Sequence, residues 1–117
     1  VHVNAAPISR LFDSSVDEDW FYFLAKGGRT HIIRTLNLAP GVDTVMELYG
    51  VDSQTRFAIN DNSYGSYASH IEWEPAKDSY LLVRVLQGNN NTPGCAATYD
   101  LEVTLKSLDI FLPLISR

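Results

Sequence analysis

The stretch Asp19-Trp20-Phe21-Tyr22-Phe23-Leu24 decides the fold. It is dense in aromatic residues, contains no glycine or proline, and is too short for the three-turn periodicity of an average helix. Side chains of an extended chain point alternately to opposite faces. Phe21 and Phe23 therefore share one face, and Trp20 and Tyr22 share the other. Gly27-Gly28 follows at once and turns the chain, as residues without a Cβ readily do.

The same two-residue period recurs along the chain after this stretch, bounded by Gly, Pro, Asn or Asp. Thr30 to Leu36 puts His31, Ile33 and Thr35 on one face with Arg34 opposite, and Ala39-Pro40-Gly41 ends it. Thr44 to Tyr49 alternates Met46 and Leu48 against Val45 and Glu47, and Gln54 to Ile59 makes a short run before the polar tract Asn60-Asp61-Asn62-Ser63-Tyr64-Gly65. Ser69 to Glu74 sets Ile71 and Trp73 against His70, Glu72 and Glu74, and Pro75-Ala76-Lys77-Asp78 turns the chain again. Leu81, Val83 and Val85 then oppose Tyr80, Leu82 and Arg84; after the loop Gln87 to Gly94, Tyr99, Leu101 and Val103 alternate with Asp100, Glu102 and Thr104. No helical pattern competes with these runs.

About eight strands at near-regular spacing predict an all-β fold, an antiparallel β-sandwich of jelly-roll type. Its expected inward set is Phe21, Phe23, Ile33, Met46, Leu48, Ile71, Trp73, Leu81, Val83, Val85, Tyr99, Leu101 and Val103, with Glu47 and Glu102 on the solvent side. The apolar tail Asp109-Ile110-Phe111-Leu112-Pro113-Leu114-Ile115 has two readings, a final edge strand or a segment that docks on a neighbouring domain.

Composition bounds the rest. The 117 residues are read as one domain, 1–117, and 45% hydrophobic with 20% charged residues excludes both a disordered acidic segment and a membrane-embedded chain. Fourteen acidic residues against nine basic ones leave a net charge of -5, which repels a phosphate backbone, so no nucleic acid partner is expected. No run approaches the roughly 20 apolar residues of a membrane span. The start Val1-His2-Val3 lacks the basic and apolar regions of a signal peptide, so the numbering is expected to describe a mature or excised piece. The single cysteine, Cys95, forms no internal disulfide and is expected in the core or a loop.

Read in order, Asp17-Glu18-Asp19-Trp20-Phe21-Tyr22-Phe23, Gly28, Ile33-Arg34-Thr35, Leu38, Gly41-Val42-Asp43-Thr44-Val45-Met46-Glu47-Leu48-Tyr49, Asn60-Asp61, Ser69-His70-Ile71, Val83-Arg84-Val85 and Tyr99-Asp100-Leu101 resemble the bacterial pre-peptidase C-terminal domain. The resemblance spans residues 8 to 105, and its most specific parts are the acid-x-acid-Trp-Phe-x-Phe run and the Gly-x-Asp-Thr-x-hydrophobic-x-Leu-Tyr run. It implies a jelly-roll-like β-sandwich without catalytic residues, attached to the catalytic domain of a secreted peptidase or to another exported protein. Such modules are associated with secretion, folding or attachment to a protein or polysaccharide substrate. Similar domains of clostridial collagenases bind collagen and calcium. The acidic segment that precedes the first core strands in the calcium-binding members has no counterpart in Val1-His2-Val3-Asn4-Ala5-Ala6-Pro7.

Two kinds of candidate site stand on the residues themselves. Asp13, Asp17, Glu18 and Asp19, joined by Asp43, offer the hard oxygen ligands that calcium takes in sets of about 6–8. Against this stands a structural role, since short acidic side chains commonly accept backbone N–H bonds at turns. No cofactor is otherwise expected; Asn60, Asn62, Tyr64 and Gly65 echo an EF-hand loop, but its first position is not acidic and its twelfth is Ile71. Trp20, Tyr22, Tyr64, Tyr67 and Tyr80 are candidate ligand-binding aromatics, or simply amphipathic rings of a sandwich surface. Arg34 and Arg84 are expected to pair across strands with Glu47, Glu72 or Glu102. His2, His31 and His70 are scattered, and no nucleophile elbow or His-Glu-x-x-His motif is present, so catalysis is not expected. The functional expectation is a secreted, non-catalytic accessory domain, with a calcium-stabilised spacer or adhesion module as the alternative.

Overall fold

The computed structural model describes residues 1–12, 17–61, 67–88 and 97–107. These form eight strands: β1 (Ile8–Leu11), β2 (Glu18–Ala25), β3 (His31–Leu36), β4 (Thr44–Tyr49), β5 (Arg56–Asn60), β6 (His70–Trp73), β7 (Ser79–Gln87) and β8 (Thr98–Leu105). They are arranged as two four-stranded antiparallel sheets, β1-β8-β3-β6 and β2-β7-β4-β5. The chain crosses between the sheets at nearly every connection, which is the double Greek-key path of a jelly roll.

The longest registers carry the alternation read from the sequence. Phe21 and Phe23 of β2 lie opposite Val83 and Leu81 of β7, and Val85 lies opposite Met46 of β4. From the facing sheet come Ile33 of β3, Ile71 of β6 and Tyr99, Leu101 and Val103 of β8; all of these are buried in one cluster with Leu48. Phe12 joins them, fully buried and stacked on Tyr99 at 4.9 Å between ring centroids. Periodicity could not flag Phe12, because it lies just past the end of β1 and outside any alternating run.

The structure adds a strand that the alternation did not mark, Ile8–Leu11, pairing with β8, while the tail 109–115, like Cys95, falls outside the described residues. One expectation needs correction. Trp73 is not a fully enclosed core residue but half-buried, its ring stacked on Phe57 at 5.1 Å and an interplanar angle of 2°. The cause is a bulge. Leu48 pairs with Ala58 and Tyr49 with Arg56, which leaves Phe57 as an extra residue free to turn towards Trp73 at the edge of the sandwich.

A buried hydroxyl cluster ties the sheets together at one end. Thr35 Oγ1 of β3 is 2.8 Å from Thr44 Oγ1 of β4, Thr44 Oγ1 is 2.8 Å from Ser69 Oγ, and the Ser69 N–H donates to Thr35 Oγ1 at 2.8 Å. Ser69 Oγ also donates to the Thr44 carbonyl at 2.7 Å, so these small polar side chains enter the core with partners in place. At the turn after β2, Gly27 has no room for a side chain: an added Cβ would sit 2.4 Å from the Lys77 Cα. The Gly27 N–H donates to Asp78 Oδ1 and the Gly28 N–H to the Pro75 carbonyl, which packs this turn on the one before β7.

His31 faces inward as expected and is fully buried. Its Nε2 accepts the Lys26 backbone N–H at 3.1 Å, and its ring lies 5.8 Å from that of Phe23. Burial pushes the imidazole below its ordinary value, outweighing the Arg29 and Trp73 carbonyls that draw it upward, while the Arg29 charge adds to the fall. Protonation of Nε2 would set a donor against the Lys26 donor.

Two predictions follow from this packing. Phe23→Ala should cost about 3–5 kcal/mol in a denaturant titration, whereas Leu24→Ser, next along β2 but facing solvent, should cost under about 1 kcal/mol. Equal costs would mean that the strand is out of phase by one residue. For His31, the unfolded chain binds a proton below about pH 6.5 while the folded chain resists it, so stability should be full above that value and fall as the pH drops from 7 to 5. The part of this slope due to His31 should disappear in His31→Gln, measured as melting temperature against pH.

Candidate functional site

Alternation makes the second face of β2 as specific as the first. With Phe21 and Phe23 turned inward, Trp20, Tyr22 and Leu24 stand on the outer face of the sheet β2-β7-β4-β5, all three exposed. The registers set their neighbours: Trp20 lies opposite Arg84, Tyr22 opposite Leu82 and Leu24 opposite Tyr80 on β7. On the other side of β7, Glu47 lies opposite Arg84 and Tyr49 opposite Leu82, and Glu47 in turn faces Ile59 of β5.

The aromatic rings gather in two pairs. Tyr22 and Tyr80 meet edge-on at 5.9 Å between centroids. Trp20 and Tyr49 are 5.4 Å apart although β7 runs between their strands, so both rings lean over that strand. Beneath them a charge ladder crosses the sheet. Glu18 accepts the Trp20 indole N–H through Oε1 at 2.8 Å and the Arg84 Nη2 through Oε2 at 2.7 Å. Arg84 Nη1 donates to Glu47 Oε1 at 2.9 Å, and Arg56 Nη1 donates to Glu47 Oε2 at 2.9 Å. The Tyr49 hydroxyl donates to Glu47 Oε1 at 2.9 Å, and the Arg84 guanidinium carbon lies 5.9 Å from the centre of the Trp20 ring.

The electrostatics agree with this geometry. Burial alone would raise the Glu47 carboxyl, but hydrogen bonds from Tyr49, Arg84 and Arg56 outweigh it and hold the group below the usual carboxylate range. The hydrogen bond from Arg84, with that from Trp20, lowers Glu18 as well. Arg84 is raised above the ordinary guanidinium value, first by its bond to Glu18 and then by that to Glu47. Both carboxylates are thus charged at neutral pH and matched by two guanidiniums, and the rings above them are held in place by their own polar atoms.

Glu47 therefore departs from the expectation of a solvent-side residue. It points away from the core, yet only 7% of it is exposed, because two arginines and a tyrosine cover it. Periodicity reads the direction of a side chain and not what lies on top of it. The expected pair Arg84–Glu47 forms, and so does Arg34–Glu102, at 2.5 Å.

The outer face of the other sheet has a different character. There Arg34 pairs with Glu102, His70 Nε2 lies 3.1 Å from Glu72, Lys106 reaches Glu72 at 3.3 Å, and Asp100 accepts bonds from Ser9 and Asn37. It is a solvated charged surface. The two faces differ because Ile32, Arg34 and Leu36 alternate outward on β3 where Trp20, Tyr22 and Leu24 do so on β2.

Of the aromatic candidates, Trp20, Tyr22 and Tyr80 come together on the outer face. Tyr67 does not: it lies beside the loop at Leu38–Val42, where its carbonyl accepts the Thr44 N–H. Tyr64 falls outside the described residues. Tyr49 and Leu82 join the patch and Ile59 lies across β4 from it; none was expected here, since only the pairing of β7 with β2 and of β4 with β7 and β5 places them on this face.

Of the acidic candidates, Asp17 and Asp19 both act on the Tyr99 hydroxyl, and Asp43 sits against Gly88 after β7. Asp19 faces inward and accepts the Tyr99 hydroxyl at 2.5 Å, while Asp17 Oδ1 accepts the Glu18 N–H at 2.9 Å. Burial, followed by the bond to Asp19, pushes the Tyr99 hydroxyl well above its ordinary value. Asp43 is buried against Gly88 at the far side of β7, with its N–H donating to Gln87 Oε1, and burial together with the nearby Asp61 charge raises its carboxyl. Asp13 falls outside the described residues. Among the described residues no group of three or more His, Cys, Asp or Glu is close enough to hold a metal ion, and no helix is long and apolar enough to cross a membrane.

The ladder is directly testable. Glu47→Ala strips the partner from two guanidiniums and should cost roughly 2 kcal/mol, whereas Glu102→Ala, whose single arginine is half-exposed, should cost under about 1 kcal/mol. Urea titrations of the two variants compare them; equal small losses would mean that the ladder contributes nothing to the sheet.

No protein-family model and no curated protein sequence matches the chain. Among solved structures it is similar to the crystal structure of the pre-peptidase C-terminal domain of a collagenase from Bacillus anthracis, at 17% sequence identity, with 88% of this chain and 90% of that one covered and a TM-score of 0.66. The chain thus has the two-sheet fold of a pre-peptidase C-terminal domain.

Proposed function

We propose that this chain is a non-catalytic accessory module of a secreted bacterial protein, most simply a peptidase, and that its aromatic outer face attaches the parent protein to an extracellular polymer. The observation that carries the reading is the contrast between the two outer faces: one is an ordinary charged surface, and the other presents Trp20, Tyr22, Leu24, Tyr80 and Ile59 to solvent. Exposed apolar side chains gathered on one face, over internally paired charges, mark an interaction surface. The shared fold with an accessory domain of a collagenase supports the rest of the reading.

A module of this kind binds through side chains already in position. The indole of Trp20 is tied to Glu18, and Tyr49 to Glu47, so little conformational entropy remains to be lost when a ligand settles on the rings. The expected outcome is co-sedimentation of the purified chain with an insoluble extracellular polymer, collagen fibrils or a structural glycan, reduced at least tenfold in Trp20→Ala. No hydrolysis of peptide or glycan substrates should accompany it. Turnover that disappears on substituting one His or Asp, or retention indifferent to every outer-face aromatic, would contradict the proposal.

A further inference from the structure

We infer that the polymer recognised by the outer face of β2-β7-β4-β5 is an uncharged polysaccharide chain, an inference that rests on the attachment reading above and narrows it. The first argument is charge. Strand positions on this face contribute Glu18, Glu47, Arg56 and Arg84, two carboxylates and two guanidiniums, each paired within the ladder. The face is neutral while the chain as a whole carries -5, so a polyanion is repelled by the molecule and finds no unmatched cation at the site.

The second argument is what the face lacks. Strands β7 and β4 are each paired on both sides, so their backbone donors and acceptors are consumed in the ladders. An extended peptide lying across the face would find no backbone donors or acceptors to pair with; peptides that bind sheets through their backbone do so at a free edge. A pyranose has apolar C–H faces and carries its hydroxyls around its rim. Its faces suit Trp20 and Tyr22, and its hydroxyls reach the planar carboxylates and guanidiniums of Glu18, Arg84 and Arg56 beside them.

The third argument is size. Four strands about 4.8 Å apart and eight residues at about 3.4 Å each give a footprint of roughly 500 Å². A flat strip of this size accommodates a linear chain of several sugars laid across the strands.

The test exposes the purified chain to amorphous cellulose, chitin, mannan, xylan and a β-glucan, with collagen fibrils and heparin as contrasting ligands, and follows retention and the quenching of tryptophan fluorescence. At least one neutral glycan should retain the chain, indifferent to 0.5 M salt as expected for roughly uncharged contacts, with retention falling at least tenfold in Trp20→Ala. Tyr80→Ser should weaken it as well and carries the test if Trp20→Ala lowers the melting temperature. Failure of every neutral glycan, or retention that both variants leave unchanged, overturns the inference. Collagen retained through Trp20 without any glycan overturns it while leaving attachment at this face standing; binding of every ligand independent of Trp20 and Tyr80 removes both.

Discussion

The antiparallel pairing of β2 with β7 is the constraint on which the rest of the structure depends. It is one of the two eight-residue strands and runs in uninterrupted register from Glu18 opposite Leu86 to Ala25 opposite Ser79. A strand has only two faces, so one choice of register turns Phe21, Phe23 and Ala25 into the core and Trp20, Tyr22 and Leu24 out of it at the same time. Because β7 pairs with β4 on its other side, the choice passes on: Val83 and Val85 meet Leu48 and Met46 inside, while Leu82 and Arg84 meet Tyr49 and Glu47 outside. Fold and candidate site are two sides of one register.

The two interiors of the molecule are stabilised by different physics. Between the sheets, apolar side chains lose water in a closely packed cluster, and the few polar groups that enter, Thr35, Thr44, Ser69 and the Tyr99 hydroxyl, do so with hydrogen-bond partners. On the outer face, burial is achieved by charges. Arg84 spans Glu18 and Glu47, and its guanidinium carbon lies 5.9 Å from the centre of the Trp20 ring. A surface ion pair contributes little alone, but a ladder in which each charge has more than one partner loses less entropy per bond and also positions the rings above it.

That arrangement suits the attachment proposed for this face. Binding needs a surface that is rigid, dehydrated at low cost and distinct from its surroundings. The outer face of β2-β7-β4-β5 has anchored rings and internally neutralised charges, while the opposite face carries the ion pairs Arg34–Glu102 and Lys106–Glu72. The two outer faces of this sandwich therefore differ in chemical character.

The sequence by itself determined the all-β class, seven of the strands and nearly the whole inward set, because a two-residue period in Val83-Arg84-Val85 or Tyr99-Asp100-Leu101 is a local property of the chain. It also set Trp20, Tyr22 and Tyr80 outside. Only the tertiary structure decided which of these would meet. Tyr49 stands beside Trp20 through a strand that lies more than thirty residues further along the chain, and Tyr67, as exposed as Tyr22, ends at a loop instead. The burial of Glu47, the bulge that sends Phe57 to Trp73, and the capture of Asp19 by Tyr99 share this origin. Each depends on contacts between residues distant in sequence, and alternation along one strand carries no information about its neighbours.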